Sequence, residues 1–120
     1  MRASTRNPEK GIEIIELSGR FDAYEAEVVK NWFDDKVTNG PSPQLIVNLK
    51  GVNFVDSAAL ATLLQGLKHS RQNQGDVYLC CFQDPVKVIF ELSRLDRAFK
   101  IFETEAEAIE GYQTSDKKTE

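Results

Sequence analysis

The chain has 120 residues, 41% of them apolar, and a net charge of −4, which is enough for one hydrophobic core and too short for two. No cluster of Lys or Arg forms the basic stripe that a nucleic-acid backbone requires, and no run of about 18 apolar residues is present to cross a bilayer. The N-terminal arginines are not followed by the apolar segment of a signal peptide, so a soluble, cytoplasmic protein is expected.

Residues 1–10 read as a flexible arm. In residues 11–17, Ile12, Ile14 and Leu17 alternate with Glu13 and Glu16, the pattern of a strand wetted on one face, and Gly19 marks a turn or bulge before Arg20 and Phe21. Asp22 is placed to cap a helix on which Val28, Val29, Trp32, Phe33 and Val37 form an apolar face. The Asn-Gly-Pro-Ser-Pro run at 39–43 ends it. Residues 45–49 carry successive branched apolar side chains, as in a strand covered on both faces, and are expected at the centre of a sheet.

A second helix follows, with Leu60, Leu63, Leu64 and Leu67 at i, i+3, i+4 and i+7 and with Gln65, Lys68 and Arg71 on the outer side. Residues 77–82 read as another buried strand, whose adjacent Cys80 and Cys81 face opposite sides. That spacing fits neither a C-x-x-C redox pair nor a zinc site, so both are read as space-filling. Asp84-Pro85 has the order of a cap followed by a first-turn proline, and the helix it opens is expected to turn Val88, Ile89 and Leu92 inward. Residues 99–102 suit a short edge strand or an extended link.

Thr104 and Glu107 form a capping box for a last helix carrying Ile109 and Tyr112. The domain is expected over 1–113, with a polar tail at 114–120. Strands alternating with helices at this length imply an α/β fold, a single small mixed sheet of about four to five strands packed with about four helices.

The junction after the central strand is the most informative segment. Val55-Asp56-Ser57-Ala58-Ala59-Leu60 brings the Ser57 hydroxyl to the opening turn of a helix. The N–H groups there have no intrahelical partner and the aligned peptide dipoles supply partial positive charge, a setting that welcomes a phosphate. Taken alone, Ser57 equally fits a cap or first-turn serine, and Asp56 a capping carboxylate.

Together with Leu17-Ser18-Gly19-Arg20-Phe21-Asp22 upstream, and with Val77-Tyr78-Leu79-Cys80 and the segment from Pro85 to Ser93 downstream, this junction resembles the D-S-x-G-L signature of STAS domains, above all those of bacterial anti-sigma factor antagonists. The resemblance covers nearly the whole chain. The signature glycine is Ala59 here, and the position after the acceptor, often a second serine, is Ala58, which leaves Ser57 as the only hydroxyl of the signature.

The resemblance implies that Ser57 accepts phosphate from an anti-sigma factor or related serine kinase of the partner-switching type, with a serine phosphatase reversing the step. It implies that Asp56 orients the accepting hydroxyl and that Asp22 lies in a loop near the site. The small residues Ala58, Ala59 and Ala61 are expected to let a partner's backbone approach, with Thr62 and Gln65 adding to the contact. A second possibility is a STAS scaffold or docking module whose serine stays unmodified.

No catalytic role is expected. His69, the single histidine, is twelve residues from Ser57 without a triad partner and reads as a helix-surface residue. No glycine-rich phosphate loop occurs, and no cofactor or metal is expected.

Overall fold

The structure, a computed structural model, describes residues 2–9, 11–40 and 42–118, the side chains of 115–118 excepted. In chain order the elements are β1 (Arg2–Glu9), β2 (Ile12–Phe21), α1 (Ala23–Thr38), β3 (Gln44–Val55), α2 (Ser57–Gln72), β4 (Asp76–Cys80), α3 (Asp84–Leu92), a 3-10 turn (Leu95–Arg97), β5 (Lys100–Phe102) and α4 (Glu105–Lys118). They build a five-stranded sheet in the order β1-β2-β3-β4-β5. β1 is antiparallel to β2 and the remaining pairs are parallel, so the sheet is mixed and β3 is its centre, as the run of branched residues anticipates.

Each parallel pair is joined by a helix-containing crossover, which returns the chain to the same end of the sheet. Alternation along the strands then sorts the core into two layers. Ile15, Leu17, Leu45, Val47, Leu49, Val77 and Leu79 pack under Val29 and Phe33 of α1, Leu63 and Leu67 of α2, and Val86 and Phe90 of α3. On the opposite face Ile12, Ile14, Ile46, Tyr78 and Cys80 meet Ala108 and Tyr112 of α4. There the Tyr112 ring stacks on Tyr78 at 3.7 Å and its hydroxyl donates to the Leu45 carbonyl at 2.8 Å. Strand β2 is therefore covered on both faces instead of wetted on one.

Gly19 takes a φ of +95° where the β2–β3 register shifts, and the extra residue of that bulge, Asn53, lies on β3. Thr104 and Glu107 form the expected capping box, with the Glu107 N–H donating to Thr104 Oγ1 at 3.1 Å and the Thr104 N–H to Glu107 Oε1 at 3.2 Å.

Several expectations need correction. Residues 2–9 are not an arm but the edge strand β1, paired from Arg2↔Ser18 to Arg6↔Ile14. All eight side chains are exposed, so the strand has no buried face to impose an alternating pattern. Arg6 instead holds it through ion pairs to Glu16 and Glu105. Strand β4 ends at Cys80, and Cys81 takes a left-handed conformation with φ +65°, so the two cysteines do not alternate across one strand.

The N-cap position of α3 is Gln83, which makes no side-chain capping bond, and Asp84 lies in the first turn instead of capping the helix. It buries Val86 and Phe90, one turn apart, and turns Val88 and Leu92 outward, Leu92 to 80% exposure. On α1 the buried stripe runs through Ala26, Val29, Trp32, Phe33 and Val37, and Val28 falls outside it. Val29 is buried and Val28 is not. Helix α4 continues to Lys118, into the stretch expected as a polar tail.

Candidate functional site: the paired starts of α1 and α2

Phe21 and Val55 are register partners at the carboxyl ends of β2 and β3, so the helices that follow begin side by side. Each is introduced by an aspartate in extended conformation. Asp22 Oδ1 accepts from the Glu25 N–H at 3.2 Å, and Asp56 Oδ1 from the Ala59 N–H at 2.9 Å. Both are N-caps, which satisfy N–H groups that the helix leaves open.

The Asp56 carboxylate does more. Its Oδ2 accepts from the N–H of Ala23, the first residue of α1, at 2.9 Å, while the Asp56 N–H donates to the Phe21 carbonyl at 3.3 Å. One side chain thus satisfies donors from two helix starts. The Ala59 N–H, joined by that of Ala23, holds the Asp56 carboxyl below the usual carboxylate range, so it is ionised at neutral pH.

Ser57 is the first residue of α2 and is exposed. Because Asp56 fills the cap, the Ser57 hydroxyl is not needed for it, and it has no hydrogen-bond partner among the described residues. Ala58 is half-buried, Ala61 and Gln65 are exposed and Thr62 is half-buried. Ala59, expected at a contact surface, is completely buried in the larger core. The position one turn ahead of Leu63 points at the sheet, and no partner can touch it there.

Thr62 and Gln65 line a groove of about 220 Å³ between α1 and α2, together with Lys30, Phe33, Asp34, Gly66 and His69. At its floor the Phe33 ring packs directly on Gly66, where a Cβ would stand 2.5 Å from the ring. His69 is an exposed residue on this groove.

The structure therefore brings Asp22, Asp56 and Ser57 together at one end and sets Thr62 and Gln65 further along α2. Tyr24, in the first turn of α1, is 88% exposed and falls outside the apolar period of Ala26, Val29 and Phe33.

A larger cavity of about 600 Å³ opens on the α4 face and is lined by Glu16, Asn48, Lys50, Cys81, Phe82, Gln83, Glu103, Thr104 and Glu105. Most of its polar groups engage one another. Buried Asn48 donates to Glu105 Oε1 at 3.0 Å and accepts from the Lys50 N–H at 2.9 Å, and Gln83 donates to the Lys50 carbonyl at 2.7 Å. Arg6 pairs with Glu105 and holds its carboxyl below the usual range. This network ties β1 and α4 to the central strand.

Among the described residues no group of three or more His, Cys, Asp or Glu is arranged to hold a metal ion, and no helix is long and apolar enough to cross a membrane.

A mixed five-stranded sheet with four helices, carrying an aspartate-capped serine at the start of the helix after its central strand, defines a STAS-type domain. The chain belongs to the STAS domain family, which it matches over residues 7–108. It is 26% identical over 100 residues to the anti-sigma F factor antagonist of Paenibacillus polymyxa, covering 83% of this chain and 86% of that protein.

Among solved structures, an anti-sigma factor antagonist from Mycobacterium paratuberculosis shares the fold with a TM-score of 0.79 at 20% identity, covering 92% of each chain. The Bacillus cell fate determinant SpoIIAA in its phosphorylated form does so with a TM-score of 0.74 at 20% identity, covering 92% of this chain and 99% of that one.

Proposed function

We propose that this protein is an anti-sigma factor antagonist that works by partner switching. With Ser57 unmodified it binds an anti-sigma factor with serine kinase activity, or a related serine kinase, and frees what that partner was holding. Phosphorylated at Ser57 it is released, and a serine phosphatase restores the binding form. The observation that carries this reading is the Ser57 hydroxyl, exposed and unengaged at the first position of α2 because Asp56 already performs the capping. The relative that is named an antagonist of an anti-sigma factor supports the choice of partner.

The switch is electrostatic and local. A phosphate adds about −1.5 to −2 charges, stabilised by the helix dipole and the open N–H groups of the first turn. The same charge, set on a surface that must pack against a partner, meets desolvation and like-charge costs of several kcal/mol. Affinity falls by orders of magnitude with no refolding. Asp56, ionised and adjacent, acts on the hydroxyl and the incoming kinase through its charge, both of its oxygens being held by the N–H groups of Ala59 and Ala23.

The test is phosphosite mapping of the protein recovered from its own cells, paired with capture on Ser57→Ala and Ser57→Asp baits. The expected result is phosphate on Ser57 and a serine-kinase-type partner held by the alanine bait and lost on the aspartate bait. An unmodified Ser57 across growth conditions, with the same partners on both baits, overturns the proposal and leaves a scaffold module.

A further inference from the structure

We infer that Cys80 and Cys81 are a reversible dithiol–disulfide pair in the wall of the larger cavity, oxidised by a small hydroperoxide that enters there. Neighbouring residues in an extended strand present their side chains to opposite faces, which would keep the two sulfurs apart. Here the strand stops at Cys80, and the φ of +65° at Cys81, uncommon outside glycine, turns the second side chain back. Cys81 therefore packs against the same smaller core that contains Cys80.

Both are free thiols. Burial pushes the Cys80 thiol up, and the Cys81 thiol, within hydrogen-bonding reach of it, adds to the rise. The turn that sets them together is held on both sides. The Cys81 N–H donates to the Phe102 carbonyl of β5 at 3.2 Å, and the Gln83 side chain to the Lys50 carbonyl of β3 at 2.7 Å.

Access assigns the order of events. Cys80 is fully buried, whereas Cys81 is half-buried and lines the cavity of about 600 Å³. The Cys81 sulfur attacks one peroxide oxygen, the O–O bond breaks, and a sulfenic acid and one water (from hydrogen peroxide) are formed. The Cys80 sulfur then attacks the Cys81 sulfur. The S–O bond breaks and the Cys80 proton leaves with the oxygen as a second water, so two electrons pass from the sulfurs to the peroxide. A hydroperoxide is small and uncharged, which suits a cavity already lined by Glu16, Glu103 and Glu105 better than an anionic peptide disulfide does. Consecutive Cα atoms lie about 3.8 Å apart, below the roughly 4.4–6.8 Å of ordinary disulfides, so the closed bond is strained and readily reduced. It belongs to the labile class of disulfides and not to the structural one.

The experiment treats the folded full chain, Cys80→Ala and Cys81→Ser with a slight molar excess of hydrogen peroxide, then reads intact mass, thiols counted in denaturant and a non-reducing gel, with thermal melts of each untreated protein. In wild type the two thiols should fall to none, the mass should drop by two hydrogens, the chain should stay monomeric, and glutathione should reopen the bond. Cys80→Ala should stop at a sulfenic acid on Cys81 that a dione probe labels. Cys81→Ser, altered at the half-buried position and so the safer variant for the fold, should leave Cys80 unreacted. Wild type that keeps both thiols, or that gains oxygen on Cys81 while the Cys80 thiol survives, overturns the pair, as does a disulfide-linked dimer. Oxidation of Cys80 at the wild-type rate in Cys81→Ser overturns the order of attack, and a bond that glutathione leaves closed overturns its reversibility.

Discussion

The carboxylate of Asp56 and the backbone N–H of Ala23 lie 2.9 Å apart across 33 residues of sequence, and that bond makes the starts of α1 and α2 one unit. Asp56→Ala removes the cap of its own helix and the acceptor for the neighbouring one. It should lower the melting temperature more than Asp22→Ala, whose side-chain oxygen receives only the Glu25 N–H among the bonds described. Asp56→Asn keeps one acceptor oxygen and should fall between wild type and Asp56→Ala. If the charge orients Ser57, Asp56→Asn will also slow phosphoryl transfer by the partner kinase while its fold persists.

The pH dependence has a defined sign. Backbone donors depress the Asp56 pKa in the folded state, so the unfolded chain binds the proton more readily. The stabilisation is complete above the ordinary aspartate value of about 3.9 and is lost as pH falls through the lower folded value. The difference in melting temperature between wild type and Asp56→Asn should be constant from neutral pH to about 5 and shrink steadily below about 4. A difference that instead grows in acid would show the carboxyl to be protonated more readily in the fold.

Gly66 offers a test of the crossing between α1 and α2. An alanine in the middle of a helix ordinarily stabilises it by about 0.5–1 kcal/mol relative to glycine. Here the added methyl meets the Phe33 ring at 2.5 Å, and overpacking of that kind costs about 1–3 kcal/mol. Gly66→Ala should therefore destabilise the protein in urea unfolding, and adding Phe33→Leu should recover part of the loss.

Tyr112→Phe isolates one polar contact of the smaller core. The hydroxyl is buried and donates to the Leu45 carbonyl at 2.8 Å, and burial pushes its pKa well above that of a free tyrosine. Losing the bond should cost about 1 kcal/mol in urea unfolding, with the stacked ring contact to Tyr78 preserved.

Much of this architecture is legible from residue order, for reasons that differ by element. Strand β3 and the start of α2 stand out because branched apolar residues run into an Asp-Ser pair and then a helical leucine period. Thr104 and Glu107 stand out because a capping box is a local device that needs no tertiary context. Strand β1 leaves no such trace, since a strand with every side chain in water shows no hydrophobic alternation. The facing of α3 was misread at Val88 and Leu92, though not at Ile89, because Val86, Val88, Ile89, Phe90 and Leu92 cover somewhat more than half of the helix circumference, and packing buries Val86 and Phe90 most deeply.

At the site, the aspartates and the serine were readable from motif and capping rules. The burial of Ala59 and the exposure of Tyr24 depend on how each helix is rotated about its axis.

Helix α4 lies across the sheet from α1 and α2, and it runs back from the strands' carboxyl ends until Tyr112 reaches the first residues of β3. Its far end thus emerges at the pole remote from Ser57 and from the opposite side of the molecule. A tether, fluorophore or fused domain attached at that end of α4 would leave the serine end unobstructed, so a protein immobilised through this helix displays the proposed switch outward to whatever approaches from solution.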